Sequence, residues 1–300
     1  MSGIFDAVRR SEQPNEGNAS NRSSAGGNRG QEMLTSLGSQ PESFDLVERV
    51  LCQPSPEEHV VTTGENHMVG AEKFRVLCHR LRQIRRQRAL HSLLITSATP
   101  REGKTFVALN LAAILACGSS RVLLVDADMR HPGIHRTLRL PSLPGLADFL
   151  EGRIELPTAF RRVDPLGIYY LSSGSPSSNP VELLQKPKLR EWMGQMVAVF
   201  DWVVLDSPPL DLFADARYLA IVADAVLLVV REGVTSREDA EQGLAALEGA
   251  FVPGVVFNAS TSSDHERYYD SYYASVDSEP DRTASPLDQK RSSRKTSNDD

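Results

Sequence analysis

The stretch Ala98-Thr99-Pro100-Arg101-Glu102-Gly103-Lys104-Thr105 has the residue types and spacing of a phosphate-binding loop, with Ala98 where such loops begin with Gly. The apolar run Leu93-Leu94-Ile95-Thr96 before it reads as a strand and Phe106 to Leu115 after it as a helix, which is the context the motif requires. In that arrangement the loop amides and the positive helix end face phosphate oxygens. Lys104 then reaches the β- and γ-phosphates of a nucleoside triphosphate, and the Thr105 hydroxyl holds Mg²⁺. Ala is the least disruptive replacement for Gly at a tight turn, so Ala98 is expected to leave the loop working.

Two carboxylate motifs follow at the ends of predicted strands, where open α/β sheets bind their ligands. The first is Arg121-Val122-Leu123-Leu124-Val125-Asp126-Ala127-Asp128-Met129-Arg130. Its apolar run is a buried parallel strand, and period two sends Asp126 and Asp128 to the same side as the chain leaves the sheet. Two carboxylates beside an arginine are costly to bury unless a metal or phosphate compensates. The second is Asp201-Trp202-Val203-Val204-Leu205-Asp206-Ser207-Pro208-Pro209, a strand ending in an Asp able to hold Mg²⁺ through water. An Asp after a strand more commonly caps a helix or makes a turn. Three motifs in this order argue against that use here.

At these residues the chain resembles the bacterial tyrosine kinases, autokinases of capsule and exopolysaccharide synthesis built on a P-loop and not on the eukaryotic kinase fold. Their pattern is a Walker A loop, then Asp-x-Asp-x-Arg (here Asp126, Asp128, Arg130), then Asp-Ser-Pro-Pro (here Asp206 to Pro209), then a tyrosine-rich tail. Leu171-Ser172-Ser173-Gly174, Asn179-Pro180-Val181-Glu182-Leu183-Leu184 and Leu212-Phe213-Ala214-Asp215-Ala216 also look like family signatures. The resemblance spans residues 70 to 275. Partition-type ATPases share the first and third motifs but carry a Lys near the start of the loop, where this chain has Thr99 and Pro100.

The resemblance implies ATP and Mg²⁺, with Ala98, Thr99, Pro100, Arg101, Glu102, Gly103, Lys104 and Thr105 around the nucleotide. Lys104, Asp126, Asp128 and Arg130 form the catalytic set, and Thr105, Asp128 and Asp206 organise the metal. Asp126 orients or deprotonates the acceptor phenol, and which Asp is the base stays open. A phenol of pKa ~10 is mostly protonated at neutral pH, so a nearby carboxylate is chemically useful. Related P-loop ATPases place an adenine-contacting Asn where Asn258 ends the last predicted strand, a turn-forming Asn being the alternative. The implied activator is a membrane chain-length regulator, a polysaccharide co-polymerase, which places the chain in the cytoplasm and at the membrane only through that partner. The family's oligomerisation helix reads Glu-x-x-Arg-x-x-Arg; Glu72 and Arg75 fit, Cys78 stands in the last position, and a homo-oligomer is the expectation.

Arg267-Tyr268-Tyr269-Asp270-Ser271-Tyr272-Tyr273 holds four of the chain's seven tyrosines in an otherwise polar stretch flanked by Asp264 and Glu266. Such a segment lacks the apolar surface to fold alone. A sticky patch docking on the domain or a partner is one reading. By resemblance Tyr268, Tyr269, Tyr272 and Tyr273 are autophosphorylation sites.

The 33 basic and 39 acidic residues leave a net charge of -6, so no overall basic field draws nucleic acid or membrane. Arg80, Arg82, Arg85, Arg86 and Arg88 crowd one helix end, most simply as a solvated face. No apolar run is long enough to span a membrane, and no secretory signal is expected at the start. The 3 cysteines and 7 histidines are scattered without metal-ligand spacing.

To position these residues the sequence offers helix 67–90, strand 92–97, loop and helix 98–117, strand 121–126, helix 145–151, strand 167–172, helix 180–198, strand 201–206, helix 214–223, strand 225–231, helix 236–249 and strand 253–258. This alternation predicts an α/β fold with a mostly parallel sheet and helices on both faces. A kinase domain over 67–260 is expected between a largely disordered region 1–66, with short helices near Phe5 and Phe44 to Leu51, and a disordered tail 261–300. The reading is an ATP-dependent tyrosine autokinase acting in exopolysaccharide synthesis or export. The alternative is a partition-like ATPase switch that phosphorylates nothing.

Overall fold

The computed structural model describes residues 47–58, 60, 68–155 and 159–260. Three runs of aliphatic residues form the centre of its sheet: Ser92–Ser97 (β2), Val122–Asp126 (β3) and Trp202–Asp206 (β6) are buried at every position. Continuous burial suits parallel strands covered on both faces, and explains why these segments do not alternate polar with apolar. Glu48–Leu51 (β1), Phe160–Asp164 (β4), Ile168–Leu171 (β5), Ala225–Arg231 (β7) and Gly254–Asn258 (β8) complete the order β1-β4-β5-β3-β6-β2-β7-β8. Every pairing is parallel except β4 with β5, which run antiparallel.

Helices cover both faces: Met68–Arg85 (α1), Lys104–Ala116 (α2), Ile134–Leu138 (α3), Leu146–Leu150 (α4), Pro180–Gln185 (α5), Pro187–Val199 (α6), Asp215–Val222 (α7) and Arg237–Ala246 (α8). α2 is buried at each residue from Val107 to Leu115, as an all-round apolar helix must be. The sheet lies under one side of it and α1 over the other, where Phe74 meets Phe106 edge-on at 5.9 Å. The opposite face of the sheet is filled around Trp192 of α6, which is 1% exposed. Part of the arginine run holds α1 down. Arg85 donates to the Asp201 carbonyl at 2.8 Å and lies 4.8 Å from the Trp202 ring centre, and Arg88 lies 3.8 Å over Phe251.

Three sequence expectations are corrected. The segment ending at Leu51, read as a short helix, carries strand β1 paired with β4, so the fold begins before residue 67. Its partner edge comes from residues a hundred positions away, which local periodicity does not see. The helix expected over 180–198 is two, because Pro187 forces Lys186 to ψ 138, out of the helical region. The strand β4 and the short helix α3 were not anticipated.

The turn into α4 is seated under the chain leaving β5. A Cβ on Gly145 would lie 2.3 Å from both the Ser172 carbonyl oxygen and the Gly174 amide nitrogen, and neither backbone atom can yield cheaply. Gly145→Ala should therefore cost about 1–3 kcal/mol. Thermal unfolding should show a melting temperature lower by roughly 2–12 °C, and an unchanged midpoint would refute this account of the turn.

Candidate active site

The loop between β2 and α2 is held from the side by the other end of the sheet. Gly103, the residue before α2, has φ 92, and Arg101 has φ 64, the left-handed conformations that let successive amides point inward. At the φ of Gly103 a Cβ is strained, and it would also displace the Asn258 amide, whose Nδ2 would lie 2.0 Å from it. Asn258 donates that nitrogen to the Glu102 carbonyl at 2.9 Å. Glu102 itself is 1% exposed and turned away from solvent. Its carboxylate accepts from the Thr99 amide at 2.9 Å and from the Thr235 hydroxyl. Ala98, buried at 2%, is the closest neighbour of the Cβ position at Gly243 of α8, 3.1 Å away, so a small residue suits both sides.

Beside the loop, the ends of β3 and β6 place three carboxylates together. Asp126 and Asp206 face each other in the strand register. Asp126 Oδ2 accepts from the amides of Gly133 and Ile134 at 3.1 and 3.2 Å, while its Oδ1 has no partner. Neither oxygen of Asp206 has a partner of ordinary hydrogen-bond geometry. Lys104 Nζ lies 3.2 Å from Asp128 Oδ2, and Asp128 Oδ1 accepts from the His131 amide at 2.9 Å.

Burial pushes the Asp206 carboxyl up to about 7, against the pull of Lys104 and the nearby Thr105 hydroxyl. Burial, then the neighbouring charge of Asp206, raise Asp126 well above the carboxylate range; the two amides on Oδ2 only moderate this. One lysine does not balance three carboxylates in a buried place, and a further cation is the remedy. Asp206, Asp128 and the Thr105 hydroxyl are hard oxygen donors of the kind Mg²⁺ takes, and the unpartnered Asp206 oxygens fit such an ion. Among the described residues no group of three or more His, Cys, Asp or Glu side chains forms a metal cage.

Arg130 follows two residues after Asp128. Its guanidinium is bound to both oxygens of Asp215, at 3.1 to 3.2 Å, and stacks 4.1 Å over Phe213. Asp215, 1% exposed at the start of α7, is the partner that sequence reasoning missed, although the Leu212 to Ala216 signature contains it. Thr235 was missed too, since nothing local marks a threonine after β7 as a support for a loop 130 residues earlier. Tyr268, Tyr269, Tyr272 and Tyr273 lie outside the described residues.

A parallel sheet whose loop carries Gly-Lys-Thr into a buried helix, with an Asp-ended strand alongside, defines a P-loop nucleotide-binding protein. No family model matches the chain. It is 32% identical over 224 residues to tyrosine-protein kinase YwqD of Bacillus subtilis (strain 168), covering 74% of this chain and 93% of YwqD. It is 30% identical over 178 residues to a tyrosine-protein kinase named for the cps region of Klebsiella pneumoniae, covering 59% of this chain but 25% of that longer protein. Among solved structures, the kinase domain of Escherichia coli tyrosine kinase ETK superposes with a TM-score of 0.61 and 29% identity, covering 64% of this chain and 78% of that one. The chain belongs to the bacterial tyrosine-protein kinases of P-loop fold.

The raised carboxyl of Asp206 has a consequence for stability. An unfolded Asp titrates near ~3.9, and the folded one near about 7. The folded state therefore holds the proton more tightly. The stabilisation is complete below the unfolded value and is lost as pH rises through the folded one. Without nucleotide or divalent ion, the melting temperature should fall between about pH 4 and pH 7. Asp206→Asn should remove much of that slope and melt higher than wild type at pH 8, with the two converging in acid; parallel pH profiles for both proteins would contradict the assignment.

Proposed function

We propose that this kinase transfers the γ-phosphoryl group of ATP, with Mg²⁺, to the tyrosines of its own C-terminal segment, Tyr268, Tyr269, Tyr272 and Tyr273, in a system that makes or exports exopolysaccharide. The observation that carries the reading is Lys104 held 3.2 Å from Asp128 at the mouth of the phosphate loop, with Asp126 and Asp206 buried beside it. A lysine so placed exchanges a carboxylate for phosphate oxygens when the nucleotide enters, and the loop amides take the rest of the phosphate charge. Mg²⁺ held by Thr105, Asp128 and Asp206 would neutralise charge building on the phosphates. The acceptor phenol oxygen bonds to the γ-phosphorus as the bond from that phosphorus to the β–γ bridging oxygen breaks. ADP departs with the electron pair, and the phenol proton passes to Asp126. Its raised carboxyl makes it a stronger base than a surface aspartate, better matched to a phenol.

Four tyrosines clustered within six positions of an acidic, polar stretch support the tail as acceptor. Among the described residues no helix is long and apolar enough to cross a membrane. We assign the membrane connection to a chain-length regulator acting as activator, on the strength of the cps-region relative and the family resemblance. A homo-oligomer through α1 rests on Glu72 and Arg75, which pair at 2.8 Å on its surface. Cys78, where the family pattern has its second Arg, is 1% exposed and burial pushes its thiol up to about 12, so this position turns into the core and adds nothing to such a surface.

Lys104→Met should lower phosphotyrosine formation by about 10²-fold or more, with the melting temperature little changed. Immunoblotting for phosphotyrosine after incubation with Mg-ATP reads this, and undiminished signal would sink the site. Replacing Tyr268, Tyr269, Tyr272 and Tyr273 together by Phe should remove most of the phosphate while nucleotide affinity, measured by calorimetry, stays the same. Mass spectrometry that places the phosphate chiefly on Tyr169 or Tyr218 would contradict the tail assignment.

A further inference from the structure

Tyr170 is 1% exposed, and its hydroxyl has no hydrogen-bond partner. A phenylalanine ring would fill the same space without leaving a buried donor orphaned, an omission that costs about 1–3 kcal/mol. The hydroxyl therefore asks for an explanation.

The register of the sheet supplies one. Tyr170 of β5 pairs with Leu124 of β3, and Asp126 lies two residues further along the same strand, on the same face and about 6.6 Å on. Tyr170 and Leu124 belong to the same core cluster under α2, together with Val204, which stands two positions before Asp206 on β6. Side chains on strands lean along the strand direction, and a tyrosine ring with its hydroxyl spans about one such step. The row into which Tyr170 extends is thus the Asp126–Asp206 row. There Asp126 Oδ1 and both oxygens of Asp206 also lack partners. A carboxylate only accepts and a phenol hydroxyl donates, so the orphans are complementary.

We infer that Tyr170 is a positioning residue of the phosphotransfer site, donating its hydroxyl from the core side of the sheet to one buried water that it shares with Asp126 Oδ1. Burial, and then the charges of Asp126 and Asp206, raise the phenol well above its ordinary value, so it stays protonated and serves as a donor. A polar spot with several partners is also where a buried water is held. Asp126 Oδ2 is already tied to the Gly133 and Ile134 amides. A donor on Oδ1 fixes the second oxygen, so the carboxylate cannot turn about its Cβ–Cγ bond and its remaining lone pair is aimed at the acceptor phenol. Small errors in such aim are expensive in rate.

The inference rests on Asp126 serving the transfer, so Asp126→Asn is run beside Tyr170→Phe. Tyr170→Phe should lower kcat for tail phosphorylation about 10- to 100-fold, leave KM for ATP within about twofold, and leave the melting temperature unchanged or slightly higher because no carbon contact is lost. A wild-type kcat would overturn the inference. So would a loss of kcat accompanied by a higher KM and a lower melting temperature, the pattern of a packing defect. A crystal structure of the wild-type kinase with Mg²⁺ and a non-hydrolysable ATP analogue provides the second readout. A single water should lie within about 3.5 Å of both Tyr170 Oη and Asp126 Oδ1; an Oη surrounded only by carbon would refute the contact. If Asp126→Asn keeps full activity, the role of Asp126 falls and this inference with it. If Asp126→Asn is inactive while Tyr170→Phe is not, only the role of Tyr170 falls.

Discussion

Asp126 and Asp206 stand opposite each other at the ends of adjacent parallel strands, both fully buried, and the electrostatic cost of that pair governs the rest of the site. Two carboxylates in a low-dielectric place repel one another and lose their hydration. The chain offsets this only in part. Amides of Gly133 and Ile134 hold one oxygen of Asp126, and Lys104 is shared with Asp128. What is left over is a standing demand for positive charge. A site that destabilises its own empty state in this way is tuned for binding and not for stability.

The phosphate loop shows how distant segments make local geometry possible. Gly103 must be glycine because its φ of 92 strains any other residue, and the Asn258 amide at the end of an edge strand packs against it. Glu102, which in sequence looks like a nucleotide-facing residue, instead anchors the loop to Thr235 and to the Thr99 amide. Arg130 likewise spends its fork on Asp215, which ties the segment after β3 to the start of α7. These contacts hold a loop rich in donors open toward a ligand, where a free loop would fold its amides onto itself.

The fold and the chemistry remain separate inferences. A parallel sheet with a phosphate loop hosts ATPases as well as kinases, and fold alone does not choose between them. The choice comes from the second aspartate motif and from sequence identity to named tyrosine-protein kinases across most of the chain. Asp126 and Asp128 put an extra pair of carboxylates at the end of β3, with Lys104 of the phosphate loop 3.2 Å from Asp128.

The sequence by itself determined the parallel sheet, the loop and the carboxylates. Unbroken aliphatic runs declare doubly buried strands, and Gly-Lys-Thr and the two Asp motifs sit where those runs end, so each signal is local and within a few residues of its cause. It did not determine which groups support them. The pairing of β1 with β4, the break at Lys186, the Arg130–Asp215 clamp, the inward turn of Glu102 and the burial of Tyr170 against Leu124 all depend on residues brought together from separate parts of the chain, or on one proline overriding a helical pattern. Hydrogen bonds and like-charge repulsion act through space over a few ångströms. Only the packed sheet decides which residues fall within that range.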